Sequence, residues 1–195
     1  MAYPVAVILY YITDRTRFPG TEAERRRALL ERIREAAKAG VDLIQLREKD
    51  LAAGALEKLA KDALTIIRDE SSKTRLLINS RLDVALAVEA DGVHLTSTDI
   101  NASEARTIVS RAHSAPPRNF VIAVSCHSAQ EVRLAEAYGA DFAVLAPIFG
   151  KQIPNSPEIS GIGVHVLREA TQIDQAPDLR VEAEMDVGQR RPHGR

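Results

Sequence analysis

The sequence contains a single cysteine, Cys126, no long apolar run and almost no net charge. One cysteine excludes an intramolecular disulfide framework and fits a reducing compartment. The 26 basic and 27 acidic residues leave a formal net charge of −1, which favours neither nucleic acid nor a membrane surface as partner. The longest apolar run, from Val5 to Ile12, is far shorter than the roughly 20 residues of a spanning helix, and no basic segment precedes it as in a signal peptide. We therefore expect a soluble, cytoplasmic protein.

Short apolar segments alternate with amphipathic segments along the chain. The 195 residues, 45% of them hydrophobic, suffice for one substantial core. Apolar residues at helical spacing, such as Leu29, Ile33 and Ala37, predict the helices. Six strand–helix units in strict alternation predict an α/β fold with a parallel sheet, either open or closed into a barrel. The strands are predicted to begin near Val5, Val41, Arg75, Asp91, Phe120 and Asp141.

Recognisable residues mark the predicted helix ends. Thr21 with Glu24, and Ser128 with Glu131, have the spacing of a capping box, in which each side chain bonds a free backbone amide. Ser80 and Asp83 have a similar spacing at another helix start. After two of the helices come Gly40 and Gly139, which can adopt the left-handed conformation that ends a helix.

The segment Gln45-Leu46-Arg47-Glu48-Lys49 follows a short apolar run that reads as a buried strand. In an extended chain alternate side chains share a face, so Gln45, Arg47 and Lys49 point one way and Glu48 the other. Donors that converge where a buried strand ends suit an anionic ligand, and arginine can bind phosphate through two parallel bonds. The alternative interpretation is a solvated loop in which Arg47 and Lys49 pair with Glu48 and Asp50.

Six segments in register resemble the thiamine phosphate synthase and TenI family of (β/α)8, or TIM-type, barrels. The resemblance runs from about Ala6 to Ala170. The matching segments are Tyr11–Asp14, Gln45–Lys49, Ile78–Ala85, Ala90–Leu95, Val124–Ser128 and Gly139–Asp141 leading to Ala146–Phe149. The resemblance implies a barrel domain over residues 1–171 and a divergent, disordered tail over residues 172–195. It also implies small phosphorylated molecules as substrates.

By this resemblance the activity is that of a transferase of thiamine biosynthesis. The synthase joins hydroxymethylpyrimidine diphosphate to thiazole phosphate and releases diphosphate with the help of Mg²⁺. Asp99 would ligate Mg²⁺, and Ser125 would lie beside the pyrimidine. The diphosphate would be held by Gln45, Arg47, Lys49 and Asn79. The assignment agrees with the chemistry, because fixed cations stabilise the negative charge that grows on a leaving diphosphate.

Three features depart from the family pattern. Ser80 stands where the synthase has an acidic second ligand for Mg²⁺, and a hydroxyl binds Mg²⁺ weakly compared with a carboxylate. In the loop after the sixth strand, Lys151 is the one candidate phosphate contact. After Ala170 the last two strand–helix units of a barrel are not recognisable. We therefore expect an open sheet of six strands, whose exposed edges favour pairing with another chain as a homo-oligomer.

Two other functions stay open. TenI relatives act as thiazole tautomerases with a histidine after strand five, the place of His127, and imidazole suits proton transfer near neutral pH. Alternatively, His127 is only a helix-entry residue beside the cap at Ser128. A third possibility is an incomplete, non-catalytic family member. Cys126 is expected to be a buried small side chain, and His94 a structural residue of a strand.

Overall fold

The computed structural model describes residues 8–70, 73–112, 119–150, 160–173 and 180–183, with only the backbone described for residues 172–173 and 180–183. The chain divides into two compact units, Met1–Val124 and Ser125–Arg195. The division of the chain into a domain over 1–171 and a tail over 172–195 stays a prediction.

The first unit consists of parallel strands that alternate with helices. Each neighbouring pair of strands from β1 to β5 is parallel and adjacent in chain order. In chain order the elements are β1 (Tyr10–Ile12), a short 3₁₀ helix (Arg15–Arg17), α1 (Glu22–Lys38), β2 (Leu43–Leu46), α2 (Ala53–Asp69), β3 (Arg75–Asn79), α3 (Leu82–Ala87), β4 (Gly92–Leu95), α4 (Ala102–Ala112) and β5 (Val121–Cys126), whose first four residues belong to this unit. The predicted strand near Val5 therefore begins at Tyr10 within the described residues.

The apolar stripes of the helices pack against strands that are themselves fully buried. Leu29, Ile33 and Ala37 are the buried residues of α1, as their spacing predicts. All four residues of β2 and all four of β4 are buried, as expected for parallel strands covered on both faces. The capping box of Thr21 and Glu24 is complete, with both reciprocal bonds present. This part of the sequence pattern is confirmed.

Two aspartates at helix-to-strand junctions join neighbouring strands. The Asp42 carboxylate accepts a hydrogen bond from the backbone N–H of Leu9 (2.8 Å), just before β1. In the same way Asp91 accepts from the backbone N–H of Leu76 (2.8 Å) in β3. Each aspartate thereby satisfies a backbone donor of the preceding strand near its start. Asp42 and Asp91 therefore have the same structural role at two successive junctions.

The sheet of the first unit is curled, as a contact between side chains of β1 and β4 shows. The Tyr10 hydroxyl of β1 lies 2.8 Å from Nδ1 of His94 in β4, and the two rings stack with centroids 5.8 Å apart. In a flat sheet these strands would be separated by three spacings of about 4.8 Å each, too far for a direct bond. The carboxyl ends of β2, β3 and β4 therefore border one concave surface.

The second unit contains α5 (Ala129–Ala137), β6 (Phe142–Leu145), α6 (Val164–Ile173) and β7 (Arg180–Ala183). Gly139 has φ +73°, the left-handed conformation that its position after α5 predicts. The predicted cap of α5 is half correct. Ser128 accepts from the Glu131 amide, whereas the Glu131 carboxylate bonds the backbone N–H of His127 and not that of Ser128.

A seventh strand corrects the expectation of a six-stranded sheet. Strand β7 pairs with β6 in parallel over four residues, in the register Phe142↔Arg180 to Leu145↔Ala183. Apolar and charged residues alternate in this segment, a pattern that does not favour a strand covered on both faces. Its pairing with β6 involves backbone groups and does not depend on that pattern. The six predicted strand–helix units are present in the described part of the chain.

Gly92 allows the close approach of β4 and β5 and supplies a test of this packing. A Cβ at Gly92 would lie 2.3 Å from the carbonyl oxygen of Val121 and 2.8 Å from its Cβ, and backbone cannot move aside as a flexible side chain can. We expect Gly92→Ala to lower the free energy of unfolding by about 1–3 kcal/mol, the usual effect of overpacking. Urea denaturation followed by circular dichroism measures this change.

The matched control is Gly54→Ala in α2, where an added Cβ meets nothing within 4 Å. Alanine replaces glycine favourably in an open helical position, by up to about 1 kcal/mol. Equal stability of Gly92→Ala and the parent protein would contradict the close packing of β4 on β5.

Candidate functional site

Arg15, at the start of the 3₁₀ helix that follows β1, is buried among three carboxylates. Arg15 as a whole is 4% exposed. Nη1 and Nη2 bond the two oxygens of Asp50 at 2.6 and 2.8 Å, and Nη1 also lies 3.1 Å from Oε2 of Glu48. Nε bonds Glu22 of α1 at 2.7 Å. The hydrogen bonds that Arg15 donates to Asp50, and also to Glu22 and Glu48, raise its pKa against the opposing effect of burial.

Glu48 is buried on the opposite side of the chain from Gln45 and connects the ends of β1 and β2. Its carboxylate accepts from the Thr13 hydroxyl (2.6 Å) and from the backbone N–H of Arg15 (3.0 Å). The Thr13 oxygen in turn accepts from the backbone N–H of Arg47 (3.0 Å). A buried carboxylate is stable only with such donors and a cation. The loop that carries Arg47 is therefore fixed through Thr13 and Glu48.

Arg47 and Lys49 do not pair with their acidic neighbours, so the alternative of a solvated, self-paired loop is wrong. Glu48 and Asp50 bond Arg15 instead. Within the described ranges, no carboxylate lies within ion-pair distance of Arg47 or Lys49. Arg47 is half-buried and Lys49 is exposed. Two cations at the carboxyl end of β2 are thus available to an anion.

Polar side chains at the ends of β2 and β3 form a chain of hydrogen bonds. The Gln45 amide Nε2 donates to Oδ1 of Asn79 (2.9 Å), and the Asn79 amide donates to the Ser80 hydroxyl (3.1 Å). Gln45 is almost fully buried, while Asn79 and Ser80 are half-buried. The structure therefore brings together three of the residues that the sequence predicts at the site.

Ser80 adopts a left-handed backbone with φ +59°, and its N–H bonds the carbonyl of His94 (2.8 Å). A non-glycine residue in this region is uncommon and is often found at functional turns. The predicted cap by Ser80 is wrong, because α3 begins after Arg81, whose guanidinium bonds the carboxylate of Asp83. Asp83 pairs locally, and the Ser80 hydroxyl remains at the end of β3.

His94 is buried on the concave side of β4. Burial, together with the charge of Arg47 and against the opposing charge of Asp99, lowers its pKa to about 4. Arg47 and Asp99 therefore both lie within electrostatic range of the imidazole. The ring is neutral at neutral pH. The prediction of a structural histidine agrees with its burial and its contact with Tyr10.

Asp99 lies in the loop after β4 and uses one carboxylate oxygen locally. Its Oδ2 accepts from the backbone N–H (2.7 Å) and the hydroxyl (2.9 Å) of Thr96. Across the part of the chain that the structure describes, no cluster of three or more His, Cys, Asp or Glu residues could hold a metal ion. Mg²⁺ bound through one carboxylate needs further oxygen ligands from substrate phosphates and water. The residues present fit an ion that arrives with a phosphorylated substrate.

Ser125, Cys126 and His127 belong to the second unit. Cys126 is 1% exposed, and burial raises its pKa to about 12, with a smaller contribution from Glu131. The expectation of a buried small side chain is confirmed. His127 is exposed, and its backbone N–H and its Nδ1 both lie near Oε2 of Glu131, at 2.8 and 3.2 Å. Ser125 is half-buried at the end of β5.

Lys151, the remaining predicted contact, lies outside the described residues. The role of Arg15 was not predicted from the sequence. The one available signal was Glu48, an acidic side chain predicted to point away from the face of Gln45, Arg47 and Lys49, and once buried it requires a cation from elsewhere in the chain. Nothing in the local sequence identifies Arg15 as that cation.

Comparison with known proteins decides the family. Residues 9–177 match the family model described as thiamine monophosphate synthase. The chain belongs to this thiamine monophosphate synthase family. A protein of Aquifex aeolicus, whose name provisionally assigns it as thiamine-phosphate synthase 2, is 40% identical over 164 residues, 84% of this chain and 78% of the relative. The thiamine-phosphate synthase of Syntrophomonas wolfei is 38% identical over 141 residues, and the match spans 60% of that relative.

A solved structure supports the fold as well. Thiamine phosphate pyrophosphorylase from Pyrococcus furiosus superposes with a TM-score of 0.63 at 26% identity, over 90% of this chain and 85% of that one. The predicted fold class, a TIM-type α/β fold with six recognisable strand–helix units, is confirmed. Of the helices in the described ranges, none is long and apolar enough to span a membrane.

Proposed function

We propose that this family member is a thiamine-phosphate synthase, a transferase that joins hydroxymethylpyrimidine diphosphate to thiazole phosphate and releases diphosphate. The family match and the names of the relatives support this reaction. The observation that carries it is the pair of cations, Arg47 and Lys49, left without carboxylate partners among the described residues at the end of β2. An anion that departs from a carbon atom requires such a site.

The chemistry needs stabilisation of the departing diphosphate more than it needs a base. As the bond to the pyrimidine methylene breaks, negative charge grows on the diphosphate and positive charge on the pyrimidine. Arg47 can bind two phosphate oxygens at once, and Lys49 adds a mobile second cation. Gln45 and Asn79, which are bonded to each other, add amide groups at the ends of β2 and β3. Each residue has a role in binding and orienting the diphosphate.

Mg²⁺ is part of the proposal, with Asp99 as its protein ligand. The ion would neutralise charge on the diphosphate when bound. Thr96 bonds one oxygen of the Asp99 carboxylate and thereby orients the whole group. The second oxygen takes no part in that contact. Ser80 offers a hydroxyl in place of a second carboxylate.

The remaining assignments rest on the family resemblance. Ser125 would contact the pyrimidine and Lys151 a phosphate. A cytoplasmic location accords with small phosphorylated substrates. A homo-oligomer accords with the unpaired strand edges expected from the sequence. These assignments complete the proposal but do not carry it.

Arg47→Ala tests the diphosphate site. Removing a charged group that binds a phosphate through two bonds should weaken binding by about 2–3 kcal/mol. Isothermal titration of the pyrimidine diphosphate or inorganic diphosphate into the two proteins measures the difference, and the rate of thiamine phosphate formation should fall with it.

The control for this test is Arg32→Ala, an exposed arginine of α1 that pairs with Glu35. Its substitution should change neither binding nor rate. Equal diphosphate affinity in Arg47→Ala and the parent would exclude the end of β2 as the binding site.

Ser80→Asp tests the proposed metal site. The left-handed backbone at position 80 accepts aspartate readily, so the new carboxylate can be introduced without rebuilding the turn. We expect it to raise the affinity for Mg²⁺ in the presence of diphosphate, because Mg²⁺ prefers carboxylate to hydroxyl oxygen. Titration of Mg²⁺ with diphosphate present is the measurement, and Ser80→Asn is the uncharged control. No gain in Ser80→Asp, with loss of Mg²⁺ binding in Asp99→Ala, would mean that a single carboxylate suffices.

A thiazole tautomerase is the second candidate, and the contact of His127 with Glu131 is the observation that favours it. A carboxylate at Nδ1 orients an imidazole and leaves Nε2 directed away, an arrangement suited to proton transfer. In this case His127→Ala should lower the tautomerase rate by about 10²–10⁴. The synthase rate should change little, because fixed charges carry that step. Assays of both reactions on one preparation decide between the functions, and an unchanged tautomerase rate excludes His127 from that role.

A further inference from the structure

We propose that Arg15 is a positioning residue that holds the carboxylates of Glu48 and Asp50 away from Arg47 and Lys49. By doing so it keeps the two cations available to a diphosphate. The inference rests on the proposed function, because it concerns the same anion site, and it adds a determinant on a different strand–helix loop.

The charge order of the loop creates the need for such a residue. Arg47, Glu48, Lys49 and Asp50 alternate in sign along four consecutive positions. In a solvated loop, opposite charges so close in sequence attract each other and compete with any anionic ligand. An anion site built on this segment therefore requires that its two acids be bonded elsewhere.

The geometry at Arg15 meets this need. One guanidinium edge binds both oxygens of Asp50, at 2.6 and 2.8 Å, and the shared Nη1 also bonds Glu48 at 3.1 Å. A planar guanidinium can bind two carboxylates in this way, whereas an ammonium group cannot reproduce the forked contact. A fourth bond, from Nε to Glu22 of α1, fixes the orientation of the group.

The two acids differ in how firmly they are held. Glu48 is buried and has further donors in Thr13 and in the backbone of Arg15. The side chain of Asp50 is 58% exposed, so it has room to turn when its contact with Arg15 is lost. The hydrogen bond from Arg15 lowers the pKa of Asp50, and a released Asp50 would still be ionised at neutral pH. Asp50 is thus the group that would compete for Arg47 and Lys49.

The experiment measures the affinity of the full chain for inorganic diphosphate by calorimetry in four variants and the parent. Arg15→Gln should weaken binding by about tenfold, the effect of a nearby charge after screening by solvent. The double variant Arg15→Gln/Asp50→Asn should regain most of this loss, because the competing charge is gone. A merely structural role of Arg15 would give no such rescue. Asp50→Asn alone should leave the affinity within about twofold of the parent, since Arg15 already occupies that carboxylate.

Arg47→Ala, the fourth variant, separates this inference from the function on which it rests. Loss of binding in Arg47→Ala with unchanged binding in Arg15→Gln overturns the role of Arg15 alone. Unchanged binding in Arg47→Ala overturns the proposed function and this role with it. Loss in Arg15→Gln without rescue by Asp50→Asn also overturns the proposal.

Thermal unfolding shows whether Arg15→Gln is folded. Where it is not, Asp50→Asn alone still tests the proposed role of Arg15. The substitution is at an exposed side chain and leaves the buried pair of Arg15 and Glu48 intact. A gain in diphosphate affinity of about tenfold would mean that Asp50 already competes for the cations in the parent, and this overturns the proposal. Unchanged affinity supports it.

Discussion

The buried ion pair of Arg15 and Glu48 is the interaction on which the candidate site depends. It joins the segment after β1 to the segment after β2, and it does so where both strands leave the sheet. A buried carboxylate and guanidinium must satisfy each other, since removal of one partner typically costs about 3–5 kcal/mol. Thr13 extends the contact to the backbone of Arg47. The position of Arg47, the cation proposed to bind the diphosphate, is therefore set through Thr13, Glu48 and Arg15.

The alternation of side chains along an extended chain explains why one short segment can serve both purposes. Glu48 points into the protein and secures the loop, while Gln45 reaches Asn79 and Arg47 influences His94 on the concave side. A change of register by one residue would exchange these roles and place a cation beside the buried guanidinium of Arg15. The sequence Gln45–Lys49 encodes the loop and its site together.

Much of the fold could be predicted from the sequence, because helix stripes, caps and short apolar strands are local patterns. The stripe of α1 and the capping box at Thr21 are examples. The contacts of Arg15, Tyr10 and Ser80 could not be predicted, because they depend on how distant segments meet in space. Arg15 and Glu48 are 33 residues apart, and Tyr10 and His94 are 84 apart. Strand β7 was not among the six predicted strands for a related reason: its pairing with β6 involves the backbone, which the pattern of side chains does not reveal.

The charges of the site also explain why a metal ion belongs in the proposal. His94 is neutral at neutral pH because burial and Arg47 hold its pKa down. Of the described groups that are proposed to meet the diphosphate, Arg47 and Lys49 are positive and Asp99 is negative. One net positive charge does not balance a diphosphate, whose negative charge increases as it leaves. A divalent cation between Asp99 and the diphosphate would supply the difference, and it would convert the single carboxylate from a repulsive group into a ligand.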